Sequence, residues 1–468
     1  MWLPANSKWL KGLIVFADVA LVCIGYWFAF LLKFGGVIPE DNFKPFLTLL
    51  PAIGIVALFS FWLLGLYEDH GKNPLQVISA VFFANFLVSL GTTALAFFVR
   101  GFAFPRSILL GSIVVGTALV GSWRFIIAAL IRVFSKPKSI IIIGNAKKLD
   151  LVALKFFLAH GEKYEIKGIF AIDELEEAFE SLHDVDAVCI GANLKEQVKT
   201  EMLTFCLEQN KSAYLIPELY EILLHKAVFQ KVDDIPILRL EGLRFSTGQA
   251  IVKRATDLCL SGIGLVVLAL LLPFIWLAIQ ISSPGPIFYY QERIGQYGKP
   301  FKIIKFRTMV PDAEKGTGPV LATENDPRIT GIGKILRATR IDELPQLVNV
   351  FKGEMSFVGP RPERQVFIDQ FNEILPYYEY RLTVKPGITG LAQVLGKYDT
   401  DVADKLRYDL MYIKNYSVWL DLQLVFQTLR VVMTPSQAKG RVNVEPEIYR
   451  QIEMLKHNGK HQMASTKD

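Results

Sequence analysis

Cysteine is scarce in this chain, with four residues in 468 at positions 23, 189, 206 and 259. The four positions show no paired spacing, so the sequence predicts neither a disulfide framework nor a CxxC metal site. This usage is typical of a reducing compartment. The absence of a cysteine framework excludes the small secreted, disulfide-stabilised class.

Charge is also low for a chain of this length. Charged residues make up 21% and hydrophobic residues 51%, and the mean hydropathy is +0.33, which is too apolar for an ordinary soluble enzyme. The net charge of +6 is modest. In a membrane protein such a charge indicates anionic lipid or phosphate as a partner, and no nucleic acid is expected.

Four apolar windows account for much of this composition: residues 12–32, 46–66, 75–99 and 107–131. Each holds about 20 residues or more, enough to cross a hydrocarbon layer of about 30 Å as a helix. The first window lacks a small-residue cleavage site and is followed at once by further spans, so we expect it to stay as an anchor. The sequence therefore predicts a four-helix transmembrane domain over residues 1–135.

Lysine and arginine near the span ends predict the orientation. One side carries more of them, and it is the side of the amino terminus. That side has Lys8, Lys11, Lys72, Arg132, Lys136 and Lys138, and the other has Lys33, Lys44, Arg100 and Arg106. The bias favours a cytoplasmic amino terminus, and four crossings then return the chain to the cytoplasm after about residue 135.

Residues 136–246 have the alternating pattern of an α/β domain. The strings SIIIIGNA, KGIFAI and DAVCIGA indicate buried strands at βαβ spacing, which predicts a Rossmann-like unit. The glycine fingerprint GxGxxG is missing, because Asn145, Ala146 and Lys147 follow Gly144. A structural or regulatory module is therefore favoured over a working dinucleotide site.

A further apolar run, residues 258–281, follows Lys253, Arg254 and Asp257 and contains Pro273. It is long enough to span a membrane, but proline removes a helical hydrogen bond and bends a helix. Basic residues flank both ends, which suits a hairpin with both ends on one face. From composition alone, a straight span and a hairpin remain equally good interpretations.

The acidic pair Asp342–Glu343 lies in a stretch rich in glycine–proline turns and basic residues. Such turns suit phosphate binding, although solvated charges on loops are the simpler alternative. Leu344, Leu347, Val348 and Phe351 have helical spacing. Since Pro345 is tolerated only in a first turn, we expect a helix to start near Asp342. The pair is then either a helix cap and its neighbour, or a nucleophile beside a ligand of Mg²⁺.

The run from Lys253 to about residue 433 resembles the bacterial sugar transferase family, the monotopic phosphoglycosyl transferases. The resemblance rests on six strings in order: SPGPIFYYQERIG, KPFKIIKFRTM, DPRITGIGKILR, IDELPQLVNVFKGEMSFVGPRPE, KPGITGLAQV and YDLMYIKNYSVWLDL. The preceding 250 residues are similar to those of large members that start exopolysaccharide, capsule or O-antigen units. This resemblance implies a catalytic domain over residues 247–468 with a re-entrant membrane hairpin at about 255–281, turning at Pro273.

The resemblance also implies the roles of individual residues. Asp342 is expected to be the nucleophile, and Glu343 the residue that supports Mg²⁺. Asp409 and Tyr412 are expected to complete the site. The residues expected to contact diphosphate or lipid phosphate are basic: Arg293, Lys305, Arg307, Arg340, Arg361, Arg381 and Lys385.

The implied activity is a ping-pong transfer of hexose 1-phosphate from a UDP-sugar to undecaprenyl phosphate, with release of UMP. UDP-glucose is the first choice of donor and UDP-galactose the second. The expected location is the cytoplasmic face of a bacterial inner membrane, with a homodimer as a further expectation. A nucleotide-sugar dehydratase is disfavoured, because the chain has neither the glycine fingerprint nor a Tyr-x-x-x-Lys pair. The alternative is a non-catalytic scaffold or a UDP-sugar-binding regulator of polysaccharide assembly.

Overall fold

The computed structural model describes residues 8–67, 74–98, 105–134, 136–145, 149, 151–156, 163–192, 194–310, 326–397 and 400–433. These residues fall into two compact units. The first unit extends to Tyr220 and the second begins at Glu221.

Four long helices form the amino-terminal part of the first unit: α1 Lys8–Phe34, α2 Glu40–Leu63, α3 Pro74–Phe98 and α4 Arg106–Phe134. They coincide with the four predicted apolar windows, and each is long and apolar enough to cross a membrane. Helix α1 packs on α4, and α3 packs on both α2 and α4. Buried Arg124 of α4 donates from Nη1 to the Leu66 carbonyl (2.9 Å) and pairs with Asp18 of α1. This pairing satisfies both charges inside the bundle.

The rest of the first unit is built on a parallel sheet of four strands, β1 Lys138–Gly144, β2 Tyr164–Ala171, β3 Ala187–Ile190 and β4 Ser212–Leu215, in the order β2-β1-β3-β4. Side chains of β1 alternate between two cores, as strand geometry requires. Ile141 faces α6 Leu175–Ser181 and α7 Glu196–Glu208, and Ile142 faces the side of α5, residues 151–156. The expected α/β content is therefore confirmed.

Strand β4 was not predicted, because it is a half-exposed edge strand without an apolar run. The chain segment that follows Gly144, which lacks the glycine fingerprint, includes residues 146–148. These residues lie outside the described part of the chain.

The second unit combines one long helix with small sheets and short helices. Helix α8 Leu219–Leu224 crosses the boundary between the units, and the antiparallel hairpin β5 Val228–Val232 and β6 Ile235–Arg239 precedes the long helix α9 Thr247–Ser282. An antiparallel pair follows, β7 Phe288–Ile294 and β8 Pro300–Phe306. The remaining elements are α10 Gly331–Ala338, α11 Gln346–Lys352, β9 Ser356–Val358, α12 Gln365–Ile374, β10 Gly387–Thr389, α13 Leu391–Leu395, α14 Val402–Asn415 and α15 Val418–Met433.

Helix α9 begins at a capping box and has two different faces. The Ser246 hydroxyl accepts from Gln249 N, and Gln249 Oε1 accepts in return from Ser246 N. One face is buried, through Lys253, Asp257, Ser261, Leu268, Ile275 and Ile279. The other face exposes apolar side chains, among them Ile263, Val266, Leu270, Phe274 and Ile281. A helix with this division packs on protein along one side and leaves an apolar surface on the other.

Helix α9 continues through Pro273 to Ser282. Any change of direction at this proline is therefore a bend within one helix, and not a loop between two helices. Beyond the helix end, the buried Arg307 guanidinium donates to the carbonyls of Ser283 and Pro284. The carboxyl end of α9 is thus fixed to β8.

Candidate active site

The acidic pair lies in a 3-10 turn, Ile341–Glu343, between α10 and α11. The chain enters this turn through Arg340, whose φ of 57° is in the left-handed region. Helix α11 begins only at Gln346, directly after Pro345. Helical structure therefore begins beside the predicted position, but as a 3-10 turn at Ile341. The α-helix starts four residues after Asp342, and Asp342 is not its cap. The turn has its own bond, from Leu344 N to the Ile341 carbonyl (3.1 Å), and it ends before the proline.

The buried face of α11 differs from the apolar pattern in the sequence. Of the four predicted positions Leu347 is buried, Leu344 and Val348 are half-buried, and Phe351 is 49% exposed. Val350 is buried although it was not predicted. Asn349 is buried in place of Phe351: its Oδ1 accepts from Ile304 N (3.1 Å) and its Nδ2 donates to the Lys302 carbonyl (2.8 Å). The Asn349 side chain thus pairs with backbone groups of β8. These two hydrogen bonds fix α11, and with it the preceding 3-10 turn, to that strand.

Glu343 is buried between two cations. Its Oε1 accepts from Lys305 Nζ (3.0 Å) and from Arg361 Nη2 (2.8 Å). Lys305 lies on β8, and Arg361 lies in the segment after β9. Burial alone would raise the pKa of Glu343, but Arg361 and Lys305 outweigh it and hold this pKa well below the usual range. Glu343 is therefore ionised at neutral pH.

Asp342 is buried beside Glu343 but is bound differently. Its Oδ1 has no hydrogen-bond partner among the described residues. Burial, and then the charge of Glu343, raise the pKa of Asp342 to about 6. At pH 7 this gives an ionised carboxylate with one oxygen free of hydrogen bonds, which is what an attacking oxygen requires.

Three of the predicted phosphate-binding residues lie close to the pair. Lys305 and Arg361 contact Glu343 directly, and exposed Arg340 lowers the pKa of Asp342 against the effect of burial. Arg293 of β7 donates to Gln291 Oε1 (2.7 Å) and pairs with Glu363 (3.5 Å), while its buried Nε has no partner among the described residues. Lys305, Arg361 and Arg340 thus surround the acidic pair with positive charge, whereas Arg293 forms no hydrogen bond or ion pair with it in the part of the chain that the structure describes.

The structure places the other three predicted residues elsewhere. Arg307 binds the carbonyls at the end of α9. Arg381 is buried, and its guanidinium donates to Asp409, to the Tyr378 hydroxyl and to the Arg361 carbonyl. Lys385 lies near Arg254 and Asp257, and burial followed by Arg254 lowers its pKa. Their predicted contacts with phosphate stay predictions.

Asp409 and Tyr412, both on α14, support the backbone near the site. Asp409 accepts from Arg381 Nε (2.9 Å). The Tyr412 hydroxyl donates to Asp421 Oδ1 (2.8 Å) and, at 3.1 Å, lies within reach of the Val358 carbonyl. Neither side chain has a hydrogen bond to Asp342 or Glu343. Both instead lie beside the segment that leads to Arg361, Asp409 through Arg381 and Tyr412 next to the Val358 carbonyl.

Sequence reasoning missed two buried charged groups, Asp257 and the Lys253–Asp421 pair (2.6 Å). Lys253 and Asp257 stand four residues apart at the start of α9, so they share one helical face. This spacing, directly before a long apolar run, was a signal that their face packs on protein.

The site fits Mg²⁺ through Asp342. Mg²⁺ is commonly held by one or two carboxylates together with substrate phosphates, and the Asp342 carboxylate has two oxygens, so that one can bind a cation while the unpartnered Oδ1 stays free. The predicted ligand Glu343 already accepts from two cations on Oε1. The described part of the chain has no cluster of three or more His, Cys, Asp or Glu residues that could hold a metal. Substrate phosphates would have to complete the coordination.

Comparison with known proteins adds an independent finding. The model of the family described as bacterial sugar transferase matches residues 248–435. A UDP-N-acetylgalactosamine-undecaprenyl-phosphate N-acetylgalactosaminephosphotransferase of Aeromonas hydrophila is 39% identical over 235 residues, 50% of this chain and 55% of that protein. The chain thus spans about half the length of that relative.

Two other relatives are named UDP-glucose:undecaprenyl-phosphate glucose-1-phosphate transferase. The protein of Klebsiella pneumoniae is 28% identical over 463 residues, which cover 91% of this chain and 96% of that protein. The protein of Caulobacter vibrioides is 41% identical over 191 residues, which cover 40% of this chain and 71% of that protein. The similarity to the Klebsiella protein includes the helical amino-terminal region.

Proposed function

Because the chain belongs to the bacterial sugar transferase family, we propose that it transfers hexose 1-phosphate from a UDP-sugar to undecaprenyl phosphate and releases UMP. The observation that carries this proposal is the buried Asp342 Oδ1, which has no hydrogen bond among the described residues and lies beside a charge-neutralised Glu343. UDP-glucose is the first choice of donor, since two of the relatives are named for it. UDP-galactose is the second.

The proposed reaction has two displacements at one phosphorus. An Asp342 carboxylate oxygen attacks the β-phosphorus of the UDP-sugar, and the bond from that phosphorus to the bridging oxygen breaks, so that UMP leaves with the electron pair. A phosphate oxygen of undecaprenyl phosphate then attacks the aspartyl phosphosugar and releases the carboxylate. Both nucleophiles are already anions at neutral pH, so neither step needs a proton acceptor.

The cations around Glu343 have a defined part in this scheme. The charge of Glu343 raises the pKa of Asp342, and Lys305 opposes that effect. Arg361 and Lys305 hold Glu343 by hydrogen bonds, so they keep its charge compensated while Asp342 stays reactive. Mg²⁺ bound at Asp342 and the diphosphate would neutralise the phosphate oxygens.

The contacts of α9 support a re-entrant arrangement of this helix. Lys253, near one end, pairs with Asp421, and the residues after the other end bind Arg307. The 30 residues between positions 253 and 283 correspond to about 45 Å of helix. The second unit contacts α9 at both of its ends and along its buried face. If α9 crossed the membrane as a straight helix, part of this polar unit would therefore lie in hydrocarbon. We therefore propose that α9 enters one leaflet with its exposed apolar face, and that the unit lies at the cytoplasmic surface of the inner membrane.

In this proposal helices α1 to α4 span the membrane, and the parallel sheet of the first unit is a Rossmann-like structural or regulatory module. A homodimer formed through this region is the proposed oligomer, and cross-linking of the full chain beside a chain truncated before α9 would test it.

Intact-protein mass spectrometry tests the activity. Purified protein is incubated with Mg²⁺ and each of several UDP-sugars without lipid acceptor, beside Asp342→Asn and a control, Asp369→Asn, which removes an exposed acid of α12. We expect a hexose-phosphate adduct with one donor, in wild type and control only, that clears when undecaprenyl phosphate is added. Neither adduct nor UMP with any donor would favour the scaffold or regulator instead.

A further inference from the structure

The chain segment that leads to Arg361 is held by buried side chains from three other elements. At its start, Oδ1 of Asp257 accepts two hydrogen bonds, from Ser356 Oγ and from Phe357 N, both 2.9 Å. Asp257 is 3% exposed and Ser356 is fully buried. One carboxylate oxygen of α9 therefore fixes both the side chain and the backbone of β9.

The segment has further anchors toward its end. The Tyr412 hydroxyl lies 3.1 Å from the Val358 carbonyl, and Arg381 Nη2 donates to the Arg361 carbonyl (2.9 Å). The Arg361 side chain then donates to Glu343 (2.8 Å). The backbone from Ser356 to Arg361 is thus held by hydrogen bonds at its start and its end and contacts Tyr412 in its middle. The Arg361 side chain contacts the acidic pair directly.

Asp257 is the anchor that connects this segment to the apolar helix. It lies on the buried face of α9, while Leu258, directly next to it, belongs to the exposed apolar residues. One turn earlier on the same face, Lys253 pairs with Asp421, which also accepts from Tyr412. Helix α9 therefore holds the segment directly through Asp257, while the Tyr412 hydroxyl donates to Asp421 and only contacts the segment.

We propose that Asp257 is a positioning residue that holds Arg361 against Glu343. The position of α9, the helix with the exposed apolar face, then determines the geometry of the acidic pair. The consequence for transfer rests on the proposed function. The structural part does not, because it concerns only the position of residues 356–361.

The chemistry of Asp257 predicts which substitutions matter. Asp257→Ala leaves the Ser356 hydroxyl and the Phe357 N–H buried without their acceptor, which releases the strand. A displacement of about 1 Å at a reacting group can cost about 100-fold in rate, so we expect a 10- to 100-fold loss of kcat. Asp257→Asn keeps an acceptor oxygen at Oδ1 and should stay within about threefold of wild type on the same reasoning.

A matched control exists on the same helix. Arg254 donates to the carbonyls of Val350 and Phe351 at the end of α11 (both 2.7 Å). Arg254→Gln therefore removes a tether of α9 that does not lead to residues 356–361. It should loosen α11 but leave residues 356–361 as well protected from hydrogen exchange as in wild type, in contrast to Asp257→Ala.

Hydrogen–deuterium exchange of full-length protein in lipid nanodiscs tests the structural part, because the Phe357 amide donates to Asp257 itself. We expect faster exchange confined to residues 356–361 in Asp257→Ala, and unchanged exchange there in Asp257→Asn and Arg254→Gln. Unchanged exchange in Asp257→Ala, or loss of protection throughout the second unit, would overturn the proposal.

A double-mutant cycle of UMP release tests the action through Arg361. If Asp257 acts through Arg361, Asp257→Ala should cause no further loss in an Arg361→Ala background. If the losses in rate of the two single variants multiply in the double variant, the two residues act independently, and the action through Arg361 is overturned. If wild type releases no UMP with any donor, the proposed function fails, and the exchange experiment alone decides whether Asp257 positions the segment.

Discussion

Replacing Asp342 with asparagine should stabilise the second unit while it abolishes transfer. Burial and Glu343 raise the pKa of Asp342 from 3.8 to about 6, so the folded protein holds this proton more tightly than the unfolded chain does. The cost of ionising the buried group is absent below the unfolded pKa, grows as the pH rises toward 6, and is constant above it. About two pKa units correspond to about 3 kcal/mol, which Asp342→Asn should recover at neutral pH.

The asparagine also introduces an N–H₂ group without a partner, at a cost of about 1–3 kcal/mol that does not depend on pH. The informative quantity is therefore the change in the stability difference with pH. From these pKa values we expect it to grow by about 2 kcal/mol between pH 4.5 and pH 7.5. For a unit of about 200 residues this is a growth in ΔTm of about 4–8 °C, measurable by thermal unfolding in nanodiscs.

Glu343→Gln is the matched control, because its effect has the opposite sign. The pKa of Glu343 is held well below its usual range, so its charge stabilises the fold above the unfolded pKa, and this stability is lost as the pH falls. This variant should be less stable than wild type over the whole range from pH 4.5 to pH 7.5, with a nearly constant deficit that shrinks only as the pH falls below about 4.5. A Tm difference for Asp342→Asn that stays constant over this range, as that of Glu343→Gln should, or that shrinks as the pH rises, would refute the reasoning.

Three further predictions concern the same unit. The kcat/KM of transfer should fall about tenfold per pH unit below about pH 6, since only ionised Asp342 attacks; a flat pH–rate profile down to pH 5 would contradict this. Arg340→Gly should raise the Tm, because a non-glycine residue at φ 57° costs about 1 kcal/mol, yet it should slow transfer by removing a charge near Asp342; an unchanged Tm would argue against strain. Arg381→Ala should lower the free energy of unfolding by about 3–5 kcal/mol, because Asp409 is left buried without its partner. Adding Asp409→Asn should restore part of this free energy, as measured by chemical denaturation. No recovery would mean that the loss does not come from this ion pair.

Features that depend on neighbouring residues could be predicted from the sequence. The windows 12–32, 46–66, 75–99 and 107–131 became helices α1 to α4, because a run of apolar side chains determines both the element and its burial. The strands at SIIIIGNA, KGIFAI and DAVCIGA formed for the same reason. The acidic pair was recognisable because its two members are adjacent.

Features that depend on distant partners could not be predicted. Arg381 lies 28 residues from Asp409, and Lys305 lies 38 residues from Glu343. The sequence marks each as a charge but gives no distance between them. Two local errors have a physical cause as well: polar Asn349 took the buried position expected for Phe351, and a separate 3-10 turn, entered through left-handed Arg340, delayed the helix to Gln346.

Helix α9 has a further consequence, for the order in which the chain assembles. Its buried side chains, such as Leu268 and Ile279, form one core with Phe306 and Leu336, which are synthesised later. A nascent chain folds from its amino-terminal end, so α9 is available to lipid before its protein partners exist. In the proposed arrangement the later strands and helices then complete their core on a helix that the bilayer already holds. The lipid surface would thus act as a template for folding, and a fragment that begins after Ser282 would expose Phe306 and Leu336 and be prone to aggregate.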